Sequence, residues 1–263
     1  MANDSVVLRF DEGIFNYGEH KPVLDEASFS VRNGTKIALM GQNGAGKTSL
    51  FNLILGSNKP VRGNIFITPP NATLGIAKQV MNPSHMDLTV RDWFATTFAA
   101  VPHNLDAHIA QVLDAVNLQT DLKKKIRVHS GGQQARLPLA YALIQDPDIL
   151  MLDEPTNNLD QAGIEHLTGF LMTYTKTVLV ISHDADFLNA FTDGVLYLNA
   201  FTQKIEQYVG NYYNVVEEIA ARLERERAQN ARAEAEIKKK MAQAEVFAHK
   251  GGKLRGVAKR MRE

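Results

Sequence analysis

The apolar residues of this chain fall into short runs separated by stretches of helical spacing. Three runs are almost wholly apolar, as strands buried on both faces are: "KIALM" (36–40), "DILMLD" (148–153) and "TVLVIS" (177–182). A helical pattern, "KTSLFNLILG" (47–56), follows the first run, and another helix-like stretch separates the second from the third. Strands that alternate with helices predict an α/β fold with a mostly parallel sheet.

Other short runs predict antiparallel strands near the start and the end of this domain. "VVLRF" (6–10), "ASFSVRNG" (27–34) and "GNIFIT" (63–68) have strand character and stop at turn residues. "DGVLYLN" (193–199) and "KIEQYVG" (204–210) predict a closing hairpin. Between Leu88 and Leu122 the spacing is helical, with an interruption expected at Pro102.

The last fifty residues have a different pattern. From Asn214 to about Lys250 the sequence predicts one charged helix of roughly 55 Å, too long for a packed domain of this size. Gly251 and Gly252 are expected to end it before a second basic segment. Residues 238–262 hold nine Lys or Arg and one acidic residue. That charge indicates either a polyanionic partner or a solvated helix with a Lys-rich face.

Composition narrows the classes of protein that remain. The 263 residues are 44% hydrophobic and 22% charged with a formal net charge of zero, as in an ordinary globular protein. Cysteine is absent, which excludes disulfides and thiolate metal sites. The N-terminus has no signal-peptide pattern, and no apolar run is long enough to span a bilayer. We therefore expect a cytoplasmic protein without a membrane span.

The segment "GQNGAGKT" (41–48) fits the phosphate-binding pattern G-x-x-x-x-G-K-[ST]. It lies between a predicted strand and a predicted helix, so backbone N–H groups and the helix N-terminus can bind phosphate oxygens. Lys47 would reach the β- and γ-phosphates of ATP, and Thr48 would ligate Mg²⁺. The expected nucleotide-binding residues here are Gly41, Gln42, Asn43, Gly44, Ala45, Gly46, Lys47, Thr48 and Ser49.

A second segment, "ILMLDEPTNNLD" (149–160), supplies adjacent carboxylates at the end of a buried strand. Asp153 is suited to hold Mg²⁺, and Glu154 to activate a water molecule as general base. A pair of acidic residues after a strand is commonly a solvated loop. Its occurrence together with the phosphate-binding segment favours a catalytic role.

A third segment, "HSGGQQARLPLAYAL" (129–143), begins a helix just before that strand. Ser130 is a predicted N-cap, and Gly131 and Gly132 leave N–H groups accessible at the helix start. The order of the three segments resembles an ATP-binding cassette (ABC) domain, a P-loop NTPase with an antiparallel β subdomain and an α-helical subdomain. In that family the S-G-G-Q residues contact ATP held by a second cassette, which assigns this role to Ser130, Gly131, Gly132 and Gln133.

The resemblance extends to single residues. Tyr17 matches the aromatic residue that stacks on adenine, and Gln79 matches the glutamine that contacts Mg²⁺ and the attacking water. Asp160 matches the loop that reaches the partner cassette, and His183 matches the histidine that senses the γ-phosphate. Catalysis is thus expected from Glu154, His183 and Gln79, and metal binding from Thr48, Gln79 and Asp153.

Two residues depart from the family pattern. His129 stands where leucine is usual, and Pro138 falls about two turns into the helix, where it removes one hydrogen bond. Both departures put the strength of the contact with a second cassette in question, although neither replaces a phosphate ligand.

Three kinds of cassette protein fit the motifs: a transporter ATPase subunit, a translation factor of the ABC-F type, and a DNA-maintenance ATPase of the SMC kind. The last has a long coiled coil between phosphate loop and signature, whereas Lys47 and Ser130 are 83 residues apart. A transporter subunit would not normally carry the long charged helix, and remains the alternative. The sequence from "DEPTNNLD" through "SHDADFL" to "YVGNYYNVVEE" resembles ABC-F proteins.

The ABC-F resemblance implies a domain organisation and a mechanism. Residues 1–213 would form the cassette, with a helical subdomain at about 85–137, and 214–263 would begin a truncated interdomain linker. The basic segment 238–262 would face ribosomal RNA by neutralising phosphates. ATP and Mg²⁺ would bind, a second cassette (in the full-length chain or a homodimer) would close, and hydrolysis would reopen the pair and move the linker. Hydrolysis by one isolated cassette is expected to be slow.

Overall fold

The computed structural model of the chain describes residues 5–18, 22–77 and 81–260, with side chains described as far as residue 242. It contains two compact units, Met1–Val215 and Val216–Glu263. The strands of the described part are β1 (Val6–Asn16), β2 (Pro22–Arg32), β3 (Lys36–Gly41), β4 (Arg62–Ile67), β5 (Leu74–Ala77), β6 (Ile149–Asp153), β7 (Thr177–Ile181), β8 (Gly194–Leu198) and β9 (Ile205–Val209). Its α-helices are α1 (Lys47–Ile54), α2 (Val90–Ala95), α3 (Leu105–Ala115), α4 (Gly131–Leu143), α5 (Gln161–Thr173), α6 (Ala185–Phe191) and α7 (Tyr212–Arg260).

A six-stranded sheet in the order β5-β6-β7-β3-β8-β9 forms the centre of the first unit. All neighbouring strands from β5 to β8 pair in parallel, and β9 pairs antiparallel with β8 as the predicted hairpin. Strands β7 and β8 are buried at every position, because helices cover a parallel sheet on both faces. The predicted mostly parallel α/β architecture is confirmed.

Strand β5 was missing from the sequence prediction. It is only four residues long, and Gly75 at its second position weakens the strand signal. A Cβ at Gly75 would lie 2.6 Å from the ring of Pro147, so the close approach of that loop requires glycine here. Packing between segments distant in sequence therefore decides this strand.

A three-stranded antiparallel sheet, in the order β2-β1-β4, lies beside the central one. Phe10 and Phe29 stack on its buried face with ring centroids 5.4 Å apart. The side-chain amide of Gln207 on β9 joins the two sheets: its Nε2 donates to Ser30 O at 2.8 Å, and its Oε1 accepts from Ser30 N at 3.3 Å. Both sheets and α1 thus enclose one hydrophobic core.

Helices α2, α3 and α4 belong to the region between β5 and β6. Pro102 lies in the connection between α2 and α3, as the helical pattern predicted. Trp93 of α2 stacks on Tyr141 of α4, with ring centroids 4.4 Å apart and planes 18° apart. Pro138 lies inside α4, which nevertheless continues without a break to Leu143.

Helix α7 begins in the first unit at Tyr212, and its remaining residues form the described part of the second. The break predicted at Gly251 and Gly252 is wrong, because the helix continues to Arg260. A glycine costs only about 1 kcal/mol relative to alanine inside a helix, and good helix formers lie on both sides. No helix of the described residues combines the length and apolar character needed to cross a membrane.

Candidate functional site

The segments with predicted catalytic and phosphate-binding residues follow three adjacent parallel strands. Strand β3 ends at Gly41, β6 ends at Asp153 and β7 ends at Ile181, and the order β6-β7-β3 makes them neighbours. The carboxyl ends of parallel strands meet at one edge of the sheet, where α/β proteins bind ligands. The sheet therefore brings the loop 41–46, the acidic pair and the segment of His183 to one edge.

The loop between β3 and α1 has the backbone of a phosphate cradle. Gly46 has φ 108°, and a Cβ there would lie 2.2 Å from Val23 Cγ1, so this position requires glycine for two separate reasons. Lys47 Nζ donates to Gly41 O at 2.9 Å and to Gln42 O at 3.3 Å, across the loop. Because α1 begins at Lys47, the N–H groups of its first turn are suited to bind an anion.

The charges of the site influence one another. Burial lowers the pKa of Lys47, and the nearby Glu154 and Asp153 carboxylates oppose that shift. Burial raises the pKa of Asp153, and the Glu154 carboxylate raises it further, whereas Lys47 lowers it. Two acidic groups thus share one ammonium, and added positive charge would stabilise the ionised Asp153.

The Glu154 carboxylate is shielded from solvent, with 13% of its side chain exposed. Its backbone adopts φ 52°, and its N–H donates to Ile181 O at 2.8 Å, which fixes the turn after β6. Glu154 Oε1 lies 3.3 Å from Nε2 of His183, whose side chain is 66% exposed. Thr156 and Ser182 hydroxyls join the same two loops at 3.2 Å.

Tyr17 lies beside the first turn of α1. Its hydroxyl accepts a hydrogen bond from Ser49 Oγ at 3.1 Å, which attaches the tyrosine to the first turn of α1. Asn58 Nδ2 is 3.5 Å from the same hydroxyl, and Phe15 packs edge-on with its ring centroid 5.0 Å away. The ring is therefore held beside the phosphate loop while remaining half exposed.

The S-G-G-Q residues form the N-terminus of α4. Ser130 Oγ accepts from Gln133 N at 3.3 Å, and Gln133 Oε1 accepts from Ser130 N at 3.0 Å, a complete capping box. Gly131 and Gly132 occupy the first turn, and a Cβ on Gly131 would meet no other atom within 4 Å. The geometry leaves room for a ligand or a partner to approach Gly131.

His129, the departure from the leucine of the family pattern, is buried and hydrogen-bonded on both ring nitrogens. Nδ1 lies 3.1 Å from the carbonyl oxygens of Lys125 and Ile126, and Nε2 lies 2.7 Å from Thr120 Oγ1. Carbonyl oxygens only accept, so Nδ1 carries a proton and donates. The histidine therefore anchors the segment before Ser130 by polar contacts where leucine would do so by packing. Sequence reasoning could not show this, because Thr120 is nine residues away.

Asp160 has intramolecular partners that the sequence did not predict. Its Oδ1 accepts from Gly163 N at 2.9 Å and caps α5, and it also pairs with Arg136 Nη2 at 2.6 Å. Arg136 Nη1 donates to Asn117 O at 2.6 Å. The only feature of the sequence that could have indicated Arg136 is its position, six residues after Ser130 on the predicted helix. This arginine joins α4 to the loop that ends at Asp160.

The predicted site residues thus fall into two groups. The first group, at the sheet edge, comprises the loop 41–46, Lys47, Thr48, Ser49, Tyr17, Asp153, Glu154 and His183. The second group is Ser130–Gln133 with Asp160. The side-chain hydrogen bonds of Ser130 and Gln133 lie within the start of α4, and those of Asp160 go to Gly163 on α5 and to Arg136 on α4. Gln79 lies outside the described residues.

Magnesium fits the oxygen donors of the first group. Thr48 supplies a hydroxyl and Asp153 a carboxylate, the hard ligands that Mg²⁺ prefers, and added positive charge would favour ionised Asp153. In the described part of the chain, no cluster of three His, Asp or Glu residues could hold a metal by itself. A magnesium ion here would therefore depend on nucleotide phosphates for further ligands.

Comparison with protein families gives one match, to the family described as "ABC transporter", over residues 24–157. Among curated proteins, the chain is 29% identical over 272 residues to the Energy-dependent translational throttle protein EttA of Mycobacterium tuberculosis, covering 89% of this chain and 47% of that protein. It is 32% identical over 215 residues to the Ribosome protection protein VmlR of Bacillus subtilis, covering 80% and 38%. The chain spans about half or less of the length of these relatives.

Solved structures of similar fold include an ATP-binding subunit of an ABC transporter, with a TM-score of 0.69 and 20% identity over 81% of this chain and 93% of that one. A dimeric post-hydrolysis state of an ATP-binding cassette, bound to ADP and Pi, has a TM-score of 0.67 and 21% identity over 77% and 98%. At these identities the similarity establishes the fold alone.

Proposed function

Because this chain belongs to the ATP-binding cassette family, in its ABC-F branch, we propose that it is the ATP-hydrolysing cassette of a cytoplasmic protein that acts on the ribosome. The observation that carries the enzymatic part is the contact of Glu154 with His183, beside Asp153 at the edge that also holds Lys47. The relatives with translational names, together with the basic end of α7, support the ribosomal part.

Nucleotide binding is assigned to the first group of residues. The triphosphate binds the N–H groups of the loop 41–46 and of the first turn of α1, with Lys47 leaving its two carbonyl partners to reach the β- and γ-phosphates. Tyr17 offers its half-exposed ring to the adenine. The Ser49–Tyr17 hydrogen bond fixes the position of the tyrosine ring, the proposed adenine contact, relative to the phosphate loop.

Hydrolysis is assigned to Glu154 acting as general base. Its carboxylate accepts a proton from water as that water attacks the γ-phosphate in line. His183 lies 3.3 Å from that carboxylate and is exposed enough to reach both the water and the γ-phosphate. Gln79 is proposed to help position the water. The reaction consumes ATP and water and yields ADP and phosphate.

Thr48 and Asp153, with Gln79, would hold Mg²⁺. Bound together with ATP, the ion would neutralise charge on the β- and γ-phosphates. The added cation would favour the charged carboxylate of Asp153 and so oppose the burial that raises its pKa.

Ser130, Gly131, Gly132, Gln133 and Asp160 are assigned to a second cassette's nucleotide, and that cassette supplies the same groups in return. This partner is the second half of a longer chain or another copy of this one. One isolated cassette would then bind ATP but turn it over slowly. Closure and reopening of the pair move α7, and the basic residues of the segment 238–262 contact RNA phosphates.

Ribosome sedimentation tests the proposal with the Glu154→Gln protein, which should keep ATP unhydrolysed. We expect this protein to pellet with ribosomes in ATP but not in ADP. Neutralising the Lys and Arg of 238–262 should reduce the pelleted fraction and make it less dependent on salt, because each phosphate contact contributes to the salt dependence. Protein that remains in the supernatant in both nucleotides would contradict the ribosomal part. Protein that follows membrane vesicles would favour a transporter ATPase instead.

A further inference from the structure

Helix α6 begins immediately after His183. Asp184 is its N-cap, with Oδ1 accepting from Phe187 N at 3.0 Å, and Asp184 N donates to Ser182 Oγ at 3.1 Å. Ser182 in turn contacts Thr156 in the loop that follows Glu154. Helix α6 is therefore attached at its first turn to both loops of the catalytic pair.

The body of α6 is fixed by burial. Phe187, Leu188 and Phe191 are all buried, and the rings of the two phenylalanines pack edge-on with centroids 5.0 Å apart. A two-turn helix anchored in this way can move only as a unit, because close-packed side chains do not deform continuously. A shift of its first turn is thus passed to its exposed residues.

The exposed side of α6 holds the first turn of α7. The hydroxyl of Tyr213 donates to Asp186 Oδ1, and Tyr213 N lies 3.3 Å from Asn189 Oδ1. Tyr213 N also donates to Asn211 Oδ1 at 2.9 Å, which caps the start of α7. These residues all belong to the first unit, so the start of α7 is held within the cassette.

We infer that the Asp186–Tyr213 hydrogen bond transmits movement of the His183 segment to the first turn of α7. Tyr213 is then a positioning residue that couples nucleotide state to the linker without touching nucleotide. The inference rests on the proposed function, in which ATP-dependent closure moves α7. Nucleotide and linker states coupled in this way must influence each other reciprocally.

The alternative is that the bond only stabilises the start of α7. The hydrogen bond to Asp186 raises the pKa of Tyr213 under either alternative, and so does not distinguish these roles. The chain offers a matched control, because Tyr208 OH donates to Glu206 Oε2 at 2.7 Å within β9. Tyr208→Phe removes the same kind of bond at a place that does not join α6 to α7.

The absence of cysteine allows two labels to be placed cleanly, at Ser57→Cys and Ala231→Cys, both exposed positions. Pulsed EPR would measure the distance between them in the Glu154→Gln protein, in ATP and in ADP, at concentrations where two copies can pair. We expect a shift of the distance distribution between the two nucleotides. Tyr213→Phe should reduce that shift to about half or less while ATP binding persists, because none of the proposed nucleotide-binding residues is changed.

Two further variants complete the test. Asp186→Asn keeps an oxygen that accepts from Tyr213 and should retain most of the shift, whereas Asp186→Ala should match Tyr213→Phe. Tyr208→Phe should show the same distance shift as the parent, which is the labelled Glu154→Gln protein without further changes. A full shift in Tyr213→Phe would overturn the inference and leave the proposed function standing. The same distance in ATP and ADP in the parent would overturn both.

Discussion

Arg136 and Asp160 are 24 residues apart in sequence, yet Nη2 of the arginine lies 2.6 Å from Oδ1 of the aspartate. Only 14% of the arginine side chain is exposed. Gly163 permits this approach, because a Cβ there would lie 2.9 Å from Arg136 Nη2 and 2.8 Å from Asp160 Oδ1. Arg136 thereby attaches helix α4 to the loop after Glu154.

Replacing this arginine should destabilise the fold. We expect Arg136→Met to lower the free energy of unfolding by about 2 kcal/mol, because the Asn117 carbonyl and Asp160 both lose a charged donor. The largely exposed aspartate keeps the loss below that of a fully buried pair. Urea denaturation measures the change. Arg9→Met, which breaks the more exposed pair with Asp11, is the control and should cost less than about 1 kcal/mol. Equal losses of unfolding free energy in the two variants would contradict the larger stabilising contribution assigned to Arg136.

Glu154→Gln should lower ATP hydrolysis by about 10²-fold or more, since general bases contribute factors of this order. Binding of ATP should persist, because the phosphate loop is unchanged. Phosphate release and equilibrium nucleotide binding measure the two effects. Glu165→Gln alters an exposed glutamate on α5 that is bonded to Gln161, and should leave both unchanged. A Glu154→Gln protein that hydrolyses at the parental rate would exclude Glu154 as the base.

Gly46 and Gly44 both have positive φ, 108° and 79°, but they differ in surroundings. A Cβ on Gly44 meets nothing within 4 Å, whereas one on Gly46 collides with Val23. Gly44→Ala should cost about 1 kcal/mol for backbone strain alone. Gly46→Ala should cost about 1–3 kcal/mol more, from the added steric clash.

Thermal unfolding with and without ATP would measure both glycine variants. Val23→Ala should recover part of the stability and nucleotide affinity in the Gly46→Ala background, and should not help Gly44→Ala. Failure of Val23→Ala to improve Gly46→Ala would show that backbone strain alone accounts for the loss.

The pH dependence of stability follows from Asp153. Burial and Glu154 raise its pKa, so the folded protein holds the Asp153 proton more tightly than the unfolded chain does. Its contribution is therefore most favourable below the ordinary pKa of an aspartate and is lost as pH rises through the higher folded pKa. Asp153→Asn should increase stability at neutral pH, and this gain should disappear in acid.

Asp148 provides the opposite case. The Thr73 backbone N–H holds the pKa of Asp148 below its ordinary value, so its stabilisation is present at neutral pH and is lost as pH falls. Asp148→Asn should therefore lower stability at neutral pH. Urea midpoints at several pH values, in the absence of nucleotide, compare the two variants. A shift of the same sign in both would contradict this assignment of charges.

His129→Leu restores the residue of the family pattern but should destabilise this chain by about 1–3 kcal/mol. The substitution removes the ring hydrogen bonds to the Thr120 hydroxyl and to the carbonyls of Lys125 and Ile126, although both carbonyls keep backbone N–H partners. Thr120→Val combined with His129→Leu should recover part of the loss, because an unpaired hydroxyl is then removed. Chemical denaturation measures both variants. A leucine variant as stable as the parent would show that these polar contacts contribute nothing.

The contiguous motifs could be predicted from the sequence because each depends on residues at fixed spacing along the chain. Phosphate binding by 41–48 needs glycines, a lysine and a helix start at fixed spacing, and the acidic pair needs only the end of a buried strand. The apolar runs likewise predicted β3, β6 and β7, since strands whose central residues are buried on both faces are apolar at successive positions.

The tertiary structure alone decided the relationships between distant segments. Short β5 exists because it pairs with β6, and the contacts of Arg136, His129 and Tyr213 depend on which helices and loops pack side by side. Hydrogen bonds and ion pairs between side chains of different elements have no fixed spacing along a chain. Sequence thus determined which groups are proposed to bind and hydrolyse a nucleotide. Packing determined which groups hold them in place and which connect them to α7.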